Sequence, residues 1–229
     1  MQYHAICKAR FLRRPNRFVA EVELDGQLVT VHVKNTGRCA ELLIPGCTVY
    51  LEKSKNPNRK TPYDLVAVEK NTLLINMDSA APNQTVQEWL RAGGLGQLEQ
   101  LRAEYTMGSS RFDFYGVREG QPFLMEVKGC TLEENGIARF PDAPTLRGLK
   151  HVQELTHLAQ QGWDCYVMLV IQMKGIRQFV PNWGTHREFG LALQQATEAG
   201  VKILAYDCKV TPETMELDAP IPLFLTPPE

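Results

Sequence analysis

The spacing of apolar residues changes once along this chain, near Met77. Before Met77, short segments alternate apolar and polar residues, as strands do, and turn residues separate them. After it, helical spacing appears first, and strands and helices then follow one another. Charge divides in the same way, because residues 1–80 carry 12 basic and 8 acidic residues and residues 81–229 carry 13 and 18. We therefore predict two units, residues 1–80 and residues 81–229.

Five short strands are predicted in the first unit. Residues 18–24 and 28–33 alternate around Asp25-Gly26, which is a strong hairpin signal. A loop rich in Lys, Asn and Pro is expected over residues 53–62, and the remaining strands are expected at residues 48–53, 65–69 and 73–75. This number of short strands is typical of a small Greek-key barrel, of which the OB-fold is a common nucleic-acid-binding example.

The second unit is predicted to mix helices and strands. The first helix is expected to be capped by residues 83–85, to run through Leu90 and to end at Gly93-Gly94. A polar loop is expected after residue 128. The other predicted elements are strands at 102–107, 111–117, 122–128, 163–171 and 201–206, with helices at 145–161 and 187–199. This order predicts an α/β (α+β) fold: an OB-like barrel followed by a mixed sheet flanked by helices.

Composition and motifs exclude several classes of protein. The chain is 44% hydrophobic and 22% charged, which is typical of a folded globular protein. No apolar run approaches the roughly 18 residues of a membrane span and no signal segment is recognisable, so we expect a cytoplasmic protein without membrane partners. The six cysteines lack the spacing of zinc ligands. The fingerprints of nucleotide-binding loops are missing, so no nucleotide cofactor is expected.

The segment from residue 111 to residue 128 carries the most chemical information. Pairing Arg118 with Gln121 across a predicted hairpin sets a register in which partner numbers sum to 239. Asp113 then lies opposite Glu126. The other face receives side chains that can pack together: Phe112, Phe114, Phe123, Met125 and Val127.

Directly opposed carboxylates repel each other, so Asp113 and Glu126 need a partner. A divalent cation such as Mg²⁺ takes oxygen ligands from carboxylates and phosphates. Lys128, on the same face as Glu126, could contact a phosphate or the attacking water. Metal-assisted phosphodiester hydrolysis uses all three residues. The alternative is a surface ladder in which the two acids pair diagonally with Arg111 and Lys128.

The arrangement Asp113…Glu126-x-Lys128 on adjacent strands after a helix resembles the core of the PD-(D/E)xK nucleases, in which these residues bind the metal and activate water. Longer strings along nearly the whole chain are similar to the sugar fermentation stimulation protein family: NTG from Asn35, SRFDF from Ser110, EVK from Glu126, FPDA from Phe140 and RGLKHVQEL from Arg147. This resemblance implies an OB-like domain, a nuclease-like domain, DNA binding and, in enteric bacteria, an association with sugar metabolism.

Two further acids are candidate metal ligands. Glu104 lies on the strand before Asp113, and Glu88 lies on the preceding helix. The nuclease core that the chain resembles often uses an acid from that helix. The alternative for both residues is an ordinary solvated charge.

Candidate phosphate contacts lie at the start of the helix predicted over residues 145–161. Backbone N–H groups and cationic side chains at a helix start can hold an anion. Arg147, Lys150 and His151 supply the side chains, and Arg147 and His151, four residues apart, are expected to reach the same anion. The alternative is a basic edge without a ligand.

The first unit also carries candidate nucleic-acid contacts. Arginines beside aromatic residues suit a binder that tracks a phosphate backbone and stacks bases. A tight turn from Asn35 to Arg38 could contact a phosphate through its amides. The alternatives are a solvated basic strand with its aromatic residues in the core, and a plain loop. The candidates are Arg13, Arg14, Arg17, Phe18, Asn35 and Arg38.

Two functions remain open from the sequence. The first is a nuclease dependent on Mg²⁺ or Mn²⁺ that acts on DNA, or RNA, with Asp113 and Glu126 as ligands. The second is a DNA-binding regulatory protein without enzymatic activity, built on a nuclease-derived scaffold. A sugar-processing role is suggested only by the family's name, and we discount it because genetic effects on sugar use can be indirect.

Overall fold

The computed structural model describes residues 1–35 and 37–228. Thr36, in the predicted turn from Asn35 to Arg38, lies outside the described residues. The described part of the chain forms 15 strands and 3 helices, arranged as a barrel followed by a mixed sheet with helices. This arrangement confirms the predicted fold class.

The barrel is formed at the start of the chain, and its strands lie in the order β3-β2-β1-β4-β5-β6. A parallel pairing of β3 with β5 closes it, so the sheet has no free edge at that point. The strands are β1 (Ile6–Arg13), β2 (Val19–Leu24), β3 (Gln27–Val33), β4 (Thr48–Lys53), β5 (Tyr63–Lys70) and β6 (Leu73–Asn76).

The hairpin between β2 and β3 was correctly predicted. Asp25 and Gly26 have φ angles of 51° and 75°, as the two central residues of a type I′ turn require. Strand β1, however, was missed, although it lies between β2 and β4. Its alternation was available, because Ala9 and Phe11 are buried while Arg10 between them is exposed.

The second unit contains, in chain order, α1 (Ala81–Arg91), β7 (Gln100–Met107), β8 (Ser110–Arg118), β9 (Gln121–Cys130), β10 (Leu132–Glu134), β11 (Ile137–Phe140), α2 (Leu146–Gln160), β12 (Asp164–Ile171), β13 (Gln178–Pro181), α3 (Arg187–Glu198), β14 (Lys202–Val210) and β15 (Met215–Pro220). Its main sheet has the order β15-β14-β12-β9-β8-β7. Strands β9, β12 and β14 run parallel, and β12 is buried on both faces, which explains its continuous apolar sequence. Among the described residues, no helix is both long and apolar enough to cross a bilayer.

Two expectations for the second unit were wrong. The segment expected as a polar loop holds β10 and β11, which form a small sheet with β13. The turn between β10 and β11 is Asn135-Gly136, with φ angles of 53° and 77°, so a hairpin signal was present here and was missed. Helix α1 also begins earlier than expected, at Ala81, because Pro82 occupies its first turn, where proline is favoured. Asn83, expected as a cap, therefore lies inside the helix.

A buried polar network joins the two units. The Gln172 side chain donates to the main-chain oxygen and to Oδ1 of Asn76, over 3.1 Å each. Asn76 donates to the Tyr3 hydroxyl at 2.8 Å, and that hydroxyl donates to Asp78 at 3.2 Å. The ammonium of Lys34 also pairs with Asp78. Because α1 starts three residues after Asp78, this network fixes where the helix begins.

Candidate functional site

The predicted register between β8 and β9 is confirmed up to Asp113. Phe114 pairs with Met125, and the pairing continues to Arg118 and Gln121, so the numbers sum to 239 throughout. At Asp113 the main-chain ladder stops. Instead, the Oδ2 atom of Asp113 accepts a hydrogen bond from the Val127 N–H at 2.7 Å. Asp113 and Glu126 are therefore not paired in the ladder, contrary to the prediction. Instead, the Asp113 side chain lies between β8 and β9 where the two strands separate.

Side chains also change face at this point of β8. Phe114 belongs to the apolar cluster that contains Phe123, Met125 and Val127, as predicted. Phe112 does not, because it belongs to the other cluster and faces the ring of His151, with centroids 6.2 Å apart. A regular strand would place Phe112 and Phe114 on one face. The strand therefore departs from regular alternation at Asp113.

Asp113 is held through both of its oxygens. Its Oδ1 atom accepts a hydrogen bond from Asn83 at 2.6 Å, and Oδ2 accepts the Val127 N–H. Burial, and then the charge of Glu126, raise the pKa of Asp113 above its ordinary value. Sequence reasoning missed this role of Asn83, although its place on the helix before β8 was the available signal.

Glu126 is almost completely buried, with 3% of the residue exposed. Its Oε1 atom accepts hydrogen bonds from His151 Nδ1 and from Lys128 Nζ, the latter at 2.5 Å. Burial raises its pKa, but the contacts with His151 and Lys128 outweigh burial, so the pKa lies below the ordinary value. Its Oε2 atom is buried and has no hydrogen-bond partner among the described residues.

The basic residues of α2 do not share one environment. Arg147 is exposed and, within the described residues, makes no side-chain hydrogen bond or salt bridge. Lys150 is also exposed, and its Nζ atom lies 3.6 Å from Oε1 of Glu154. His151 is only 6% exposed and contacts Glu126 from inside the protein. The expectation that Arg147 and His151 reach one anion is therefore not met, because burial separates them.

Glu88 and Glu104, the two additional candidate ligands, form ion pairs away from Asp113 and Glu126. Glu88 lies 2.6 Å from the amino group of Met1. Glu104 is exposed, and its Oε2 atom lies 3.7 Å from a guanidinium nitrogen of Arg111. Over residues 1–35 and 37–228, no three His, Cys, Asp or Glu side chains are grouped as metal ligands. Among the candidate ligands, Asp113 and Glu126 are the two that lie together at this end of β8 and β9.

Arg14 has a structural role in the barrel. Its guanidinium donates to the main-chain oxygens of Gly37 and Arg38 at 2.8 Å each, Arg17 at 2.7 Å and Asn35 at 2.6 Å. Four acceptors fill the donor edge of a guanidinium. Arg14 therefore organises the main chain at Asn35, Gly37 and Arg38, and both terminal nitrogens of its guanidinium are engaged within the protein, whereas Nε has no partner among the described residues.

The other candidate contacts of the barrel lie at its surface. Arg17 and Arg38 are exposed, and 58% of Phe18 is exposed. Arg13 is exposed as well, but its guanidinium is paired with both oxygens of Glu21 at 2.8 and 2.9 Å. Asn35 uses its Oδ1 atom to accept the Gly37 N–H at 2.8 Å. Arg17, Phe18 and Arg38 are thus the groups best placed to meet a ligand.

The site offers the oxygen ligands that a hard cation prefers. Glu126 Oε2 is a buried carboxylate oxygen without a partner, and such an atom destabilises the fold unless something binds it. Asp113 supplies a second carboxylate, and Mg²⁺ or Mn²⁺ can be held by one or two carboxylates together with waters and phosphate oxygens. The residues present therefore fit a divalent cation.

Comparisons with known proteins identify the family. Residues 12–77 match the SfsA N-terminal OB domain, and residues 80–214 match the sugar fermentation stimulation protein RE domain. The chain belongs to the sugar fermentation stimulation protein family. A homologue from Desulfitobacterium hafniense is 52% identical over 94% of this chain and 95% of its own length. One from Ruminiclostridium cellulolyticum is 50% identical over 98% of this chain and its whole length.

A solved structure of the same family has the same fold. The structure of Pyrococcus furiosus SfsA in complex with Ca²⁺ superposes with a TM-score of 0.88 at 26% identity, covering 98% of both chains. The order of a barrel followed by a mixed α/β unit is therefore shared along the whole chain.

Proposed function

We propose that this protein is a divalent-metal-dependent nuclease that hydrolyses phosphodiester bonds in DNA or RNA. The observation that carries the proposal is the pair of carboxylates, Asp113 and Glu126, at the divergence of two strands, with a buried unpartnered oxygen and the ammonium of Lys128 beside them. The P. furiosus relative is described as a complex with Ca²⁺, which supports a site for a hard cation in this family.

The residues of the site have distinct roles in the proposed reaction. Asp113 and Glu126 would hold Mg²⁺ or Mn²⁺, which supplies Lewis-acid activation of the phosphate and of the attacking water. Lys128 stabilises negative charge on the phosphate, and its side chain is only 13% exposed, so that interaction is little screened by solvent. Asn83 and the Val127 N–H hold Asp113 in place.

The barrel is proposed to bind the nucleic acid. Arg17 and Arg38 offer guanidinium groups to phosphates, and Phe18 offers an exposed ring for stacking. Arg147, at the start of α2, lies one turn before His151, which contacts Glu126. Arg147 itself is exposed and offers a third guanidinium to a bound strand.

A cleavage assay tests the proposed function. Purified protein is incubated with labelled single- and double-stranded DNA and RNA, with Mn²⁺, with Mg²⁺ or with a chelator. We expect cleavage only with metal, and Lys128→Ala should reduce it by at least about 100-fold. Lys209→Ala is the matched control, since Lys209 is 66% exposed and pairs with Asp218 on another part of the sheet.

The second candidate is a DNA-binding protein without enzymatic activity. It is favoured by the absence of a third grouped metal-ligating side chain in the described residues. Under this alternative, binding measured by fluorescence anisotropy persists and does not depend on metal, and no substrate is cleaved. Cleavage that needs metal and Lys128 excludes it.

A further inference from the structure

The two oxygens of Glu126 lie in different environments. Two nitrogen donors, from His151 and Lys128, converge on Oε1, whereas Oε2 has no partner among the described residues. A carboxylate oxygen has about two lone-pair positions, so these donors occupy Oε1. A cation approaching Glu126 then finds only Oε2 available.

The two donors differ in how firmly they are fixed. His151 lies on α2, is 6% exposed, and has its ring against that of Phe112 at 6.2 Å between centroids. Lys128 reaches Oε1 through a flexible four-carbon chain. If Lys128 turns to a substrate phosphate, His151 remains as the group that holds Oε1.

We infer that His151 is a positioning residue, which donates from Nδ1 to Glu126 Oε1 and thereby presents Oε2 as the oxygen that binds a divalent cation. This inference rests on the proposed metal-dependent function and assigns a residue to it that contacts neither metal nor substrate. Because an ionised carboxylate only accepts hydrogen bonds, the proton lies on Nδ1. Partners of this kind, one step away from a metal, typically change its affinity by about 10- to 100-fold.

Two variants of His151 separate the hydrogen bond from packing. In His151→Asn the amide nitrogen branches from the same carbon position as Nδ1, so a donor is retained. His151→Leu has a similar size but no donor. We expect the calorimetric dissociation constant for Mn²⁺ to rise at least about ten-fold in His151→Leu and to stay within about three-fold of the wild-type value in His151→Asn.

A packing control and a measurement on the unaltered protein complete the test. Phe112→Leu alters the contact with the His151 ring but keeps the donor, so it should lower the unfolding temperature without weakening Mn²⁺ binding. If His151→Leu fails to fold, the ¹⁵N chemical shift of Nδ1 in the wild-type protein decides. A protonated Nδ1 agrees with the inference, and an unprotonated Nδ1 overturns it.

The outcomes distinguish this inference from the proposed function. Equal Mn²⁺ affinity in His151→Asn and His151→Leu overturns the role of His151, whereas Mn²⁺ binding without cleavage of any substrate overturns only the nuclease function. A wild-type protein that binds no Mn²⁺ overturns both.

Discussion

The Asp113 carboxylate accepts a hydrogen bond from the main-chain N–H of Val127 at 2.7 Å. In a continuous antiparallel pair, that N–H would donate to a main-chain oxygen of the neighbouring strand. A side chain thus satisfies the donor at the place where β8 leaves β9. The same contact fixes Asp113 beside Glu126. The site therefore forms at the point where β8 and β9 separate.

Asp113→Asn should separate fold from cation binding. The amide oxygen can still accept the Val127 N–H, and rotation of the Asn83 amide allows Asn83 to accept where it now donates. Burial and the charge of Glu126 disfavour the ionised form of Asp113, as its raised pKa shows. We therefore expect an unchanged or higher unfolding temperature without metal, and loss of the stabilisation that Mn²⁺ gives the wild-type protein.

Differential scanning fluorimetry with and without Mn²⁺ measures both effects. Asp25→Asn is the matched control, because Asp25 lies in the β2–β3 turn with a positive φ that asparagine also adopts readily. A wild-type response to Mn²⁺ in Asp113→Asn contradicts the proposed ligand role.

Arg14 and Arg17 should affect nucleic-acid binding in different ways. Arg14→Lys keeps the charge but cannot reach four carbonyl oxygens, so the free energy of unfolding should fall by about 1–3 kcal/mol. The salt dependence of binding should stay as in the wild type. Arg17→Ala should instead reduce the slope of log K against log salt by about 0.7–0.9 if Arg17 contacts one phosphate.

Anisotropy titrations at several salt concentrations, with parallel denaturant unfolding, measure these effects. Arg13→Lys serves as the control for Arg14→Lys, because Arg13 is exposed and, in the part of the chain that the structure describes, is paired only with Glu21. A loss of stability as large as that of Arg14→Lys in this control is the result that contradicts the structural role of Arg14.

Gly129→Ala should weaken the junction between the two units. A Cβ atom at Gly129 would lie 2.5 Å from Gln172 Oε1 and 2.8 Å from Pro82 Cγ. Gln172 cannot move easily, since its amide donates to Asn76 and to the main-chain oxygen of Asp78. We expect a loss of about 1–3 kcal/mol in the free energy of unfolding.

Gly184→Ala provides a matched comparison for this variant. A Cβ atom at Gly184 would meet no atom within 4 Å. The free energy of unfolding measured with urea should therefore stay close to that of the wild type. Equal stability of the two alanine variants shows that the junction tolerates the added methyl group.

Glu133 should make the stability of the protein depend on pH. Its Oε2 atom accepts from Lys70 at 2.7 Å, and its Oε1 atom accepts the Gly136 N–H at 2.6 Å. Burial raises the pKa of Glu133, but these two contacts together lower it by more, so the pKa lies below the ordinary value. The stabilisation is present above the unfolded-state value of about 4.3 and is lost as pH falls through the folded-state pKa.

Glu133→Gln should therefore be less stable than the wild type near neutral pH and lose less stability on acidification. Urea unfolding at a series of pH values measures the difference. Glu134→Gln is the neighbouring control, because the Glu134 side chain is 58% exposed and pairs only with Arg139 among the described residues. A pH profile of Glu133→Gln that parallels that of the wild type contradicts the expectation.

Much of the fold follows from local pattern. The β2–β3 hairpin could be predicted because Asp25-Gly26 supplies the positive φ angles that its turn requires. Strand β12 could be predicted because it is a continuous apolar run of strand length, and helix α2 because its buried residues follow the helical period. Strand β13 could not, since it has only four residues and pairs with β11, which lies far from it in the chain. The β10–β11 hairpin was missed, although Asn135-Gly136 is a local turn signal.

The sequence by itself determined the residue types of the site and the hairpin register that brings Asp113 near Glu126, because alternation and turn length are local properties. Only the tertiary structure decided which groups surround these carboxylates. Asn83 comes from α1 and His151 from α2, and Glu88 and Glu104 pair elsewhere. The physical reason is that a buried carboxylate takes its hydrogen bonds from whatever elements pack against it, and that packing is set by contacts between residues far apart in the chain.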